Sequence, residues 1–493
     1  MTENKIYVEP FSIATFVDTV KVAGGGIITR QVEYLADYLD ELKVATVVRE
    51  TRYIDRHYMD EYALFYSRML NPPPNTVTRL HFFEKRFDDS ALRKWMTEAI
   101  RGRDTTKLLR KEAGRYLGFS CIRPIPDSPI GRTVIERWPD HSRPREIYAL
   151  GEHPVHIGNL EFRVSGIPFQ QQEAAVGACA TAAVWSALSR VARQEGMRAP
   201  TPAEIAEAVE RPAQAHARAP LAPTTGLSVD QVFAAIQVFG FTPAAVAGTR
   251  PEILALALHT YLQSGIPVVM ILRGGSTAHA VTAVGFQLSG SDHPALEASV
   301  PTRSRQLHKI YVHDDRVGPY ARATVTPYQV INVDTMPDME GLRFEIEVKR
   351  GVLERWLVET IVAPVYPKVR LSIASLLGVA TAIQPLIETA VGDDAFDLSV
   401  DFRLVRSGEY LAGLARRVAP AAGADLAARV AMSRWCAVIR WSVKDEPIVE
   451  FVYDTTDILR GNGAHQLLAV VVLAKRMRSE FYGLADRVGV PRA

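Results

Sequence analysis

Apolar positions along the chain change period three times, and each change marks a different kind of element. In the first 150 residues, helical patterns such as "RQVEYLADYLDELK" alternate with short strand-like pieces, "TRLHFF" and "YLGFSCIRPIP". From about residue 151, capped helices come first and strands follow. "TPAE" at Thr201 and "SVDQ" at Ser228 are capping boxes, the first with Pro202 at the opening helical position, and Gly240 offers a stop to the second helix. "IPVVMILRG", "AHAVTAVGFQL" and "LHKIYVHD" are then rich in β-branched residues and bounded by Gly, Ser and Asp, as strands are. Beyond residue 346, "GVLERWLVETIV" has a helical pattern, and "WCAVIRWSV" and "EPIVEFVYD" form a hairpin across a polar "KD" turn. A terminal helix is expected over "AHQLLAVVVLAKRMRSEFYGLADRV". The expectation is a multidomain α+β protein with domains at 1–150, 151–345 and 346–493, the outer two of α/β type, and no internal repeat.

Composition narrows the class of protein. A chain of 493 residues accommodates about three ordinary cores. Lys and Arg (57) nearly balance Asp and Glu (55), so no basic field favours nucleic acid, and the basic run "RGRDTTKLLRKEAGR" is expected to be a solvated helix face. The glycines of "VAGGGIITR" are not followed by Gly-Lys-Ser/Thr, which argues for a loop and against a phosphate cradle. The first residues, "MTENKIYVEPFS", lack the apolar segment of a secretory signal. The most apolar run, Leu371 to Ile383, is short of the roughly 20 residues a membrane span requires. Three widely spaced cysteines (Cys121, Cys179 and Cys436) give neither a disulfide framework nor paired metal ligands. A cytoplasmic protein without metal or cofactor, and without a membrane span, is the expectation.

Candidate chemistry centres on "FQQQEAAVGACATAAVWSAL". A lone cysteine in an Ala-rich helix is ordinarily a small buried hydrophobe. Here Val184, Leu188 and Val191 lie at i, i+4 and i+7, which places Cys179 in the first helical turn. A helix N-terminus favours negative charge and so raises the thiolate fraction. A base and an orienting group lie downstream: His279 opens a strand, and Asp314 ends another in which Ile310, Val312 and Asp314 share one face. Strict alternation turns His313 and Asp315 the other way, unless a bulge intervenes.

Taken together, a glutamine before a helix-initial Cys, "GLSVDQVFAAIQVFGF", "IPVVMILRGGSTAHAVTAVGF" and "YVHDDRVGPYA" resemble papain-like cysteine peptidases, nearest to the bacteriocin-processing (double-glycine) branch. The resemblance covers the middle third only. It implies a helical lobe carrying the nucleophile followed by an antiparallel sheet, with Cys179 as nucleophile, His279 as general base, Asp314 as its orienting group and Gln172 in the oxyanion hole. The spacing leaves Gln170, Gln171 and Glu173 as alternatives to Gln172. The long connection "SGSDHPALEASVPTRSRQ" is expected to lie beside the site.

Three functions follow from this pattern: hydrolysis of a peptide or isopeptide bond through a thioester, with a protein or peptide as substrate; acyl transfer or deamidation at the same site; or a peptidase-like binding module without activity. Other constellations carry less. His153 and His156 lack a third metal ligand and are expected in a loop, Asp454 and Asp457 suit helix capping, and Cys121, Cys436 and His313 suit strand interiors. Oligomeric state is not legible in the chain.

Overall fold

The computed structural model describes residues 5–140, 144–172, 179–214, 228–275, 277–330, 339–349, 351–418, 420–456 and 466–491; of Cys179 it describes the backbone only. The first third runs β1 (Ile6–Pro10), α1 (Ile13–Gly24), α2 (Arg30–Glu41), β2 (Thr46–Tyr53), α3 (Arg56–Glu61), β3 (Val77–Phe83), α4 (Asp89–Ile100), α5 (Thr106–Glu112), β4 (Tyr116–Ile122) and β5 (Ile130–Ile135). The strands form one antiparallel sheet in chain order. Period-two alternation sends Leu80 and Phe82 toward α1 and α2, and Val77 and Phe83 toward α4 and α5. With both faces covered, every residue of β4 is buried. A hairpin of β6 (Gly151–Ile157) and β7 (Leu160–Gly166) adds Val155, Ile157, Phe162 and Val164 to the α4–α5 core. The expected loop at 153–156 is therefore a strand. His153 faces the core with Val155, whereas His156 faces solvent, so alternation separates this histidine pair.

The middle third opens with three helices, α6 (Cys179–Gln194), α7 (Pro202–Gln214) and α8 (Val229–Val238). Both expected capping boxes form: Thr201 and Glu204 exchange backbone-to-side-chain hydrogen bonds, as do Ser228 and Gln231. Gly240 follows α8 in the left-handed conformation (φ 83°). Then come β8 (Thr242–Ala247), α9 (Pro251–Gln263), β9 (Val268–Gly274), β10 (Thr277–Leu288), β11 (Leu307–Asp314), β12 (Gly318–Val330), β13 (Met339–Lys349) and β14 (Val352–Val365). Their ladder is β13-β12-β11-β10-β9-β14-β8, and β14 also pairs with β13, so six of the strands close on themselves.

From Val352 onward the segment 351–362 is thus strand β14, not the expected helix. Leu353 and Leu357 fit a helical repeat, but the β-branched run through Val358, Thr360, Ile361 and Val362 fills a sheet position between β9 and its neighbours. Gly351 (φ 77°) supplies the turn from β13. Residue 345 lies inside β13, and the strands of this sheet extend to Val365.

The last third contains α10 (Ile373–Val391), β15 (Leu398–Arg406), α11 (Ser407–Arg417), α12 (Pro420–Arg429), β16 (Trp435–Val443), β17 (Glu446–Asp454), β18 (Leu467–Val472) and α13 (Arg478–Val488). The sheet β15-β16-β17-β18 is antiparallel, and the "KD" turn forms with both Lys444 (φ 50°) and Asp445 (φ 63°) left-handed, which matches the twist of a two-residue hairpin. The expected terminal helix is divided: its Val-rich start is β18, drawn into the sheet, and only its charged end is helical. By length and composition the helical stretch Ile373–Asp397 is apolar enough to cross a membrane, and it runs past the expected limit at Ile383. It buries Ile373, Leu376, Val379, Ala380 and Ile387 in the protein core, which is also how a core helix is built. Mixed helices and strands, the latter in three large sheets and the β6–β7 hairpin, make the chain a multidomain α+β protein.

Candidate functional site

The antiparallel pairing of β10 with β11 brings the start of one strand to the end of the other. Thr282 opposes His313, so His279 and Asp314 meet at the same edge. His279 Nε2 lies 3.0 Å from Asp314 Oδ1, and both side chains are buried. The main-chain N–H of Arg316 donates to the same carboxylate oxygen at 2.9 Å. Asp314 is therefore fixed from two sides. Burial alone would raise its pKa, but the His279 charge and hydrogen bond outweigh it and hold the carboxyl below the usual range.

Asp315 does not turn away from the histidine. Its Oδ1 lies 3.9 Å from His279 Nε2, because β11 ends at Asp314 and the register shifts between Val312 and Asp314. Asp315 thus belongs to the turn into β12, where period-two alternation no longer applies. Burial raises its carboxyl to about 7, with the His279 charge opposing and the Asp314 charge reinforcing that rise. Its Oδ1 has no hydrogen-bond partner among the described residues. His279, Asp314 and Asp315 present three ligand atoms within 4.8 Å of one another, a set also able to hold a divalent cation.

The helix beginning at Cys179 packs against this part of the sheet. Thr282 Oγ1 donates to the Ala183 carbonyl at 2.8 Å, and Ser186 Oγ donates to the Pro168 carbonyl at 2.8 Å and sits 3.2 Å from His313 Nδ1. A small cavity, lined by Ala182, Ala183, Ser186, Ala280, His313 and Asp315, separates α6 from the strands. The first two turns of α6 therefore lie over the strand end that carries His279. Cys179 is the first helical residue, and the position of its thiol lies outside the described residues, as does Glu173.

Two of the three glutamines are committed elsewhere. Gln170 Nε2 donates to buried Glu61, which Arg123 also holds, and Gln171 binds the Asp127 carbonyl and the Ile130 amide. These bonds dock the segment on the first sheet. Gln172 is half-buried at the last described position before α6.

Several expectations fall away from the site. The 289–306 connection joins the far ends of β10 and β11, roughly 30 Å along the strand from His279, and packs against β15 through Thr302 and Pro301. It neither covers nor borders the histidine. Cys121 and Cys436 are buried strand residues whose thiols burial pushes up, Cys436 to about 11. Asp454 accepts from Thr456 N and Oγ1 in a local turn, and Asp457 lies outside the described residues.

Trp356 was not anticipated. It stands 5.7 Å from the His279 ring, between centroids, and packs so closely on Gly274 that a Cβ there would lie 2.9 Å from the indole. Arg316 lies over the same indole and pairs with Glu354 at 2.8 Å. These groups, with Thr277 and Ala278, line an open groove leading to His279. Their signal was the β-branched run after Trp356, hidden by the helical spacing of Leu353 and Leu357.

Comparison with protein-family models and with curated proteins returns no match to this chain.

Proposed function

We propose that the protein is a papain-like cysteine hydrolase that cleaves a peptide or isopeptide bond, with Cys179 as nucleophile, His279 as general base and Asp314 as its orienting group. The observation that carries this reading is the buried 3.0 Å contact between His279 Nε2 and Asp314 Oδ1, on strands that support the helix starting at Cys179. With Nε2 on the carboxylate, the proposed exchange of a proton with the thiol runs through Nδ1, the other ring nitrogen.

In this mechanism His279 Nδ1 accepts the Cys179 proton, and Asp314 stabilises the imidazolium that forms. The thiolate attacks the scissile carbonyl carbon, and the negative charge develops on its oxygen. The Cys179 main-chain N–H and the Gln172 side chain are the proposed donors to that oxygen. Collapse expels the amine, which takes the proton from His279, and leaves a thioester. Water, deprotonated by the same imidazole, then releases the acid and the free thiol. An amine attacking in place of water would make the protein a transferase. Trp356, over Gly274 and beside the ring, would form one wall of the substrate groove. A reducing compartment suits an enzyme whose nucleophile must stay a thiol.

A thiol-reactive probe with a peptide-like recognition element tests the reading. Labelling should occur at Cys179, not at the buried Cys121 and Cys436, should disappear in Cys179→Ala, and should fall strongly in His279→Ala. Labelling that ignores His279, or falls on another cysteine, would refute it. Activity abolished by a chelator and restored by a divalent cation would instead favour a metal held by His279, Asp314 and Asp315.

A further inference from the structure

We propose that a cleft between the first sheet, the β6–β7 hairpin and α6 binds a small phosphate-bearing anion through Arg79, Arg132 and Arg193. This site is separate from the His279 groove and does not depend on the hydrolase reading.

The three arginines come from β3, β5 and α6 and line one cleft. Two lie over aromatic rings: the guanidinium carbon of Arg79 is 3.7 Å from the Tyr53 ring centroid and that of Arg132 is 5.0 Å from the Phe119 centroid. Each also has one edge bound by a carboxylate. Arg79 uses Nε and Nη2 on Glu50, and Arg132 uses Nε and Nη2 on Asp55. Because a guanidinium has five N–H donors in a fixed fork, the Nη1 group of each, which binds no acceptor among the described residues, remains for another one. Stacking and ion pairing together remove the rotational freedom that a surface arginine would lose on binding.

Arg193 supplies the charge that the cleft does not balance. Glu50 and Asp55 neutralise Arg79 and Arg132, whereas no hydrogen bond or ion pair reaches the Arg193 guanidinium among the described residues. The guanidinium of Arg193, a residue otherwise exposed, is partly enclosed by the cleft; that enclosure first and the Arg132 charge second make it easier to deprotonate. The same field acts on the histidine beside it. His153 is lowered to about 3 by burial first and then by Arg193, with Arg132 also contributing. One guanidinium left unbalanced beside two already paired ones is an excess of positive charge that an oxyanion relieves.

Phosphate chemistry fits better than a carboxylate. Three guanidinium groups converge from separate elements, and a phosphoryl group has three peripheral oxygens and up to two charges to meet them. One face of Tyr53 and of Phe119 is already occupied by arginine, so the ligand would be recognised chiefly by its anion. Since Arg193 sits on the last turn of α6, occupancy would tie the helix that begins at Cys179 to the first sheet.

Isothermal titration of the full-length protein with inorganic phosphate, diphosphate and succinate tests the site, with Arg193→Gln as the variant. Arg193 is exposed, so its replacement leaves the core untouched, and circular dichroism verifies the fold. Phosphate or diphosphate should bind in a salt-dependent manner, and Arg193→Gln should weaken binding roughly ten-fold or more, as expected for hydrogen bonds to a charged group. Arg193→Lys should recover only part of that loss. Absence of phosphate and diphosphate binding at millimolar concentration, or binding unaffected by Arg193→Gln, would overturn the site. Succinate binding as tightly as the phosphates would overturn the ligand class.

Discussion

Asp314 and Asp315 are adjacent, both approach His279, and their replacement should have opposite consequences. Asp314 Oδ1 accepts two hydrogen bonds, from the buried His279 ring at 3.0 Å and from the Arg316 amide at 2.9 Å. Asp314→Ala leaves both donors without that acceptor. At about 1–3 kcal/mol for each buried group left unsatisfied, the loss of stability should be several kcal/mol before relaxation or water entry reduces it. If His279 is a general base, the same change removes its tautomer and orientation, and turnover should fall by about 10³–10⁴-fold. Asp315 has no hydrogen-bond partner for its Oδ1 among the described residues, and the neighbouring Asp314 charge disfavours its ionisation. Asp315→Ala should therefore retain or raise stability, with turnover changed by less than about ten-fold, the range of a neighbour outside the reacting groups. Urea denaturation and steady-state cleavage of a peptide substrate, measured on both variants, check this. Equal losses, or a selective loss at Asp315, would refute the assignment of Asp314 as the orienting group.

Further predictions concern pH and packing. His57, His153 and His313 are lowered to about 3, and His81 and His259 to about 4, with burial the first cause in each. Depressed bases are neutral in the folded protein but charge when unfolded, so stability should fall as pH drops from about 6.5 toward 4, measured by urea midpoints across that range. Asp315 acts in the opposite sense. Raised from 3.8 to about 7, it destabilises the fold increasingly as pH rises through that window. Asp315→Asn should thus gain stability relative to the parent between pH 5 and pH 8, and an unchanged difference would remove the shift. Gly318→Ala places a Cβ 2.1 Å from the Tyr34 ring, where the first third packs on β12, and should cost about 1–3 kcal/mol by thermal denaturation.

Most elements were legible because local signals agreed with the tertiary environment. The boxes at Thr201 and Ser228, the glycine after α8 and the three strands β9 to β11 stand where their patterns indicate. The failures share a cause. At 351–362 a leucine spacing compatible with a helix competes with a β-branched run, and the choice depends on an open sheet position beside β9, information stored far away in the chain. In the terminal segment, Leu467–Val472 becomes β18 because β17 offers it an edge. The same distance effect explains β11, where every residue from Ile310 to Asp314 is buried. Ile310 and Val312 face the helices of the middle third, while Tyr311 faces the core of the first third. Alternation in the sequence reveals a half-exposed strand, and this one has no exposed face at its end.

That double burial also decides what was legible in the candidate site. The sequence places a histidine at a strand start and an aspartate at a strand end, and antiparallel pairing is sufficient to bring such termini together. It does not say where pairing stops. Strand alternation separates Asp314 from Asp315 only while β11 continues, and the strand ends at Asp314, held by the Arg316 amide and the Gly318 pairing. One residue further, the backbone turns and returns the second carboxylate to the same imidazole. The outcome is a histidine facing two unlike acids: Asp314, bonded to the ring and favoured as a carboxylate, and Asp315, whose Oδ1 has no hydrogen-bond partner among the described residues and which burial raises to about 7, so that it is only partly ionised near that pH. If His279 is the proposed general base, this asymmetry has a chemical use. Were both acids ionised, the added negative charge would stabilise the imidazolium further and slow its return of the proton to the leaving amine. Keeping Asp315 partly protonated moderates that stabilisation while Asp314 maintains the tautomer.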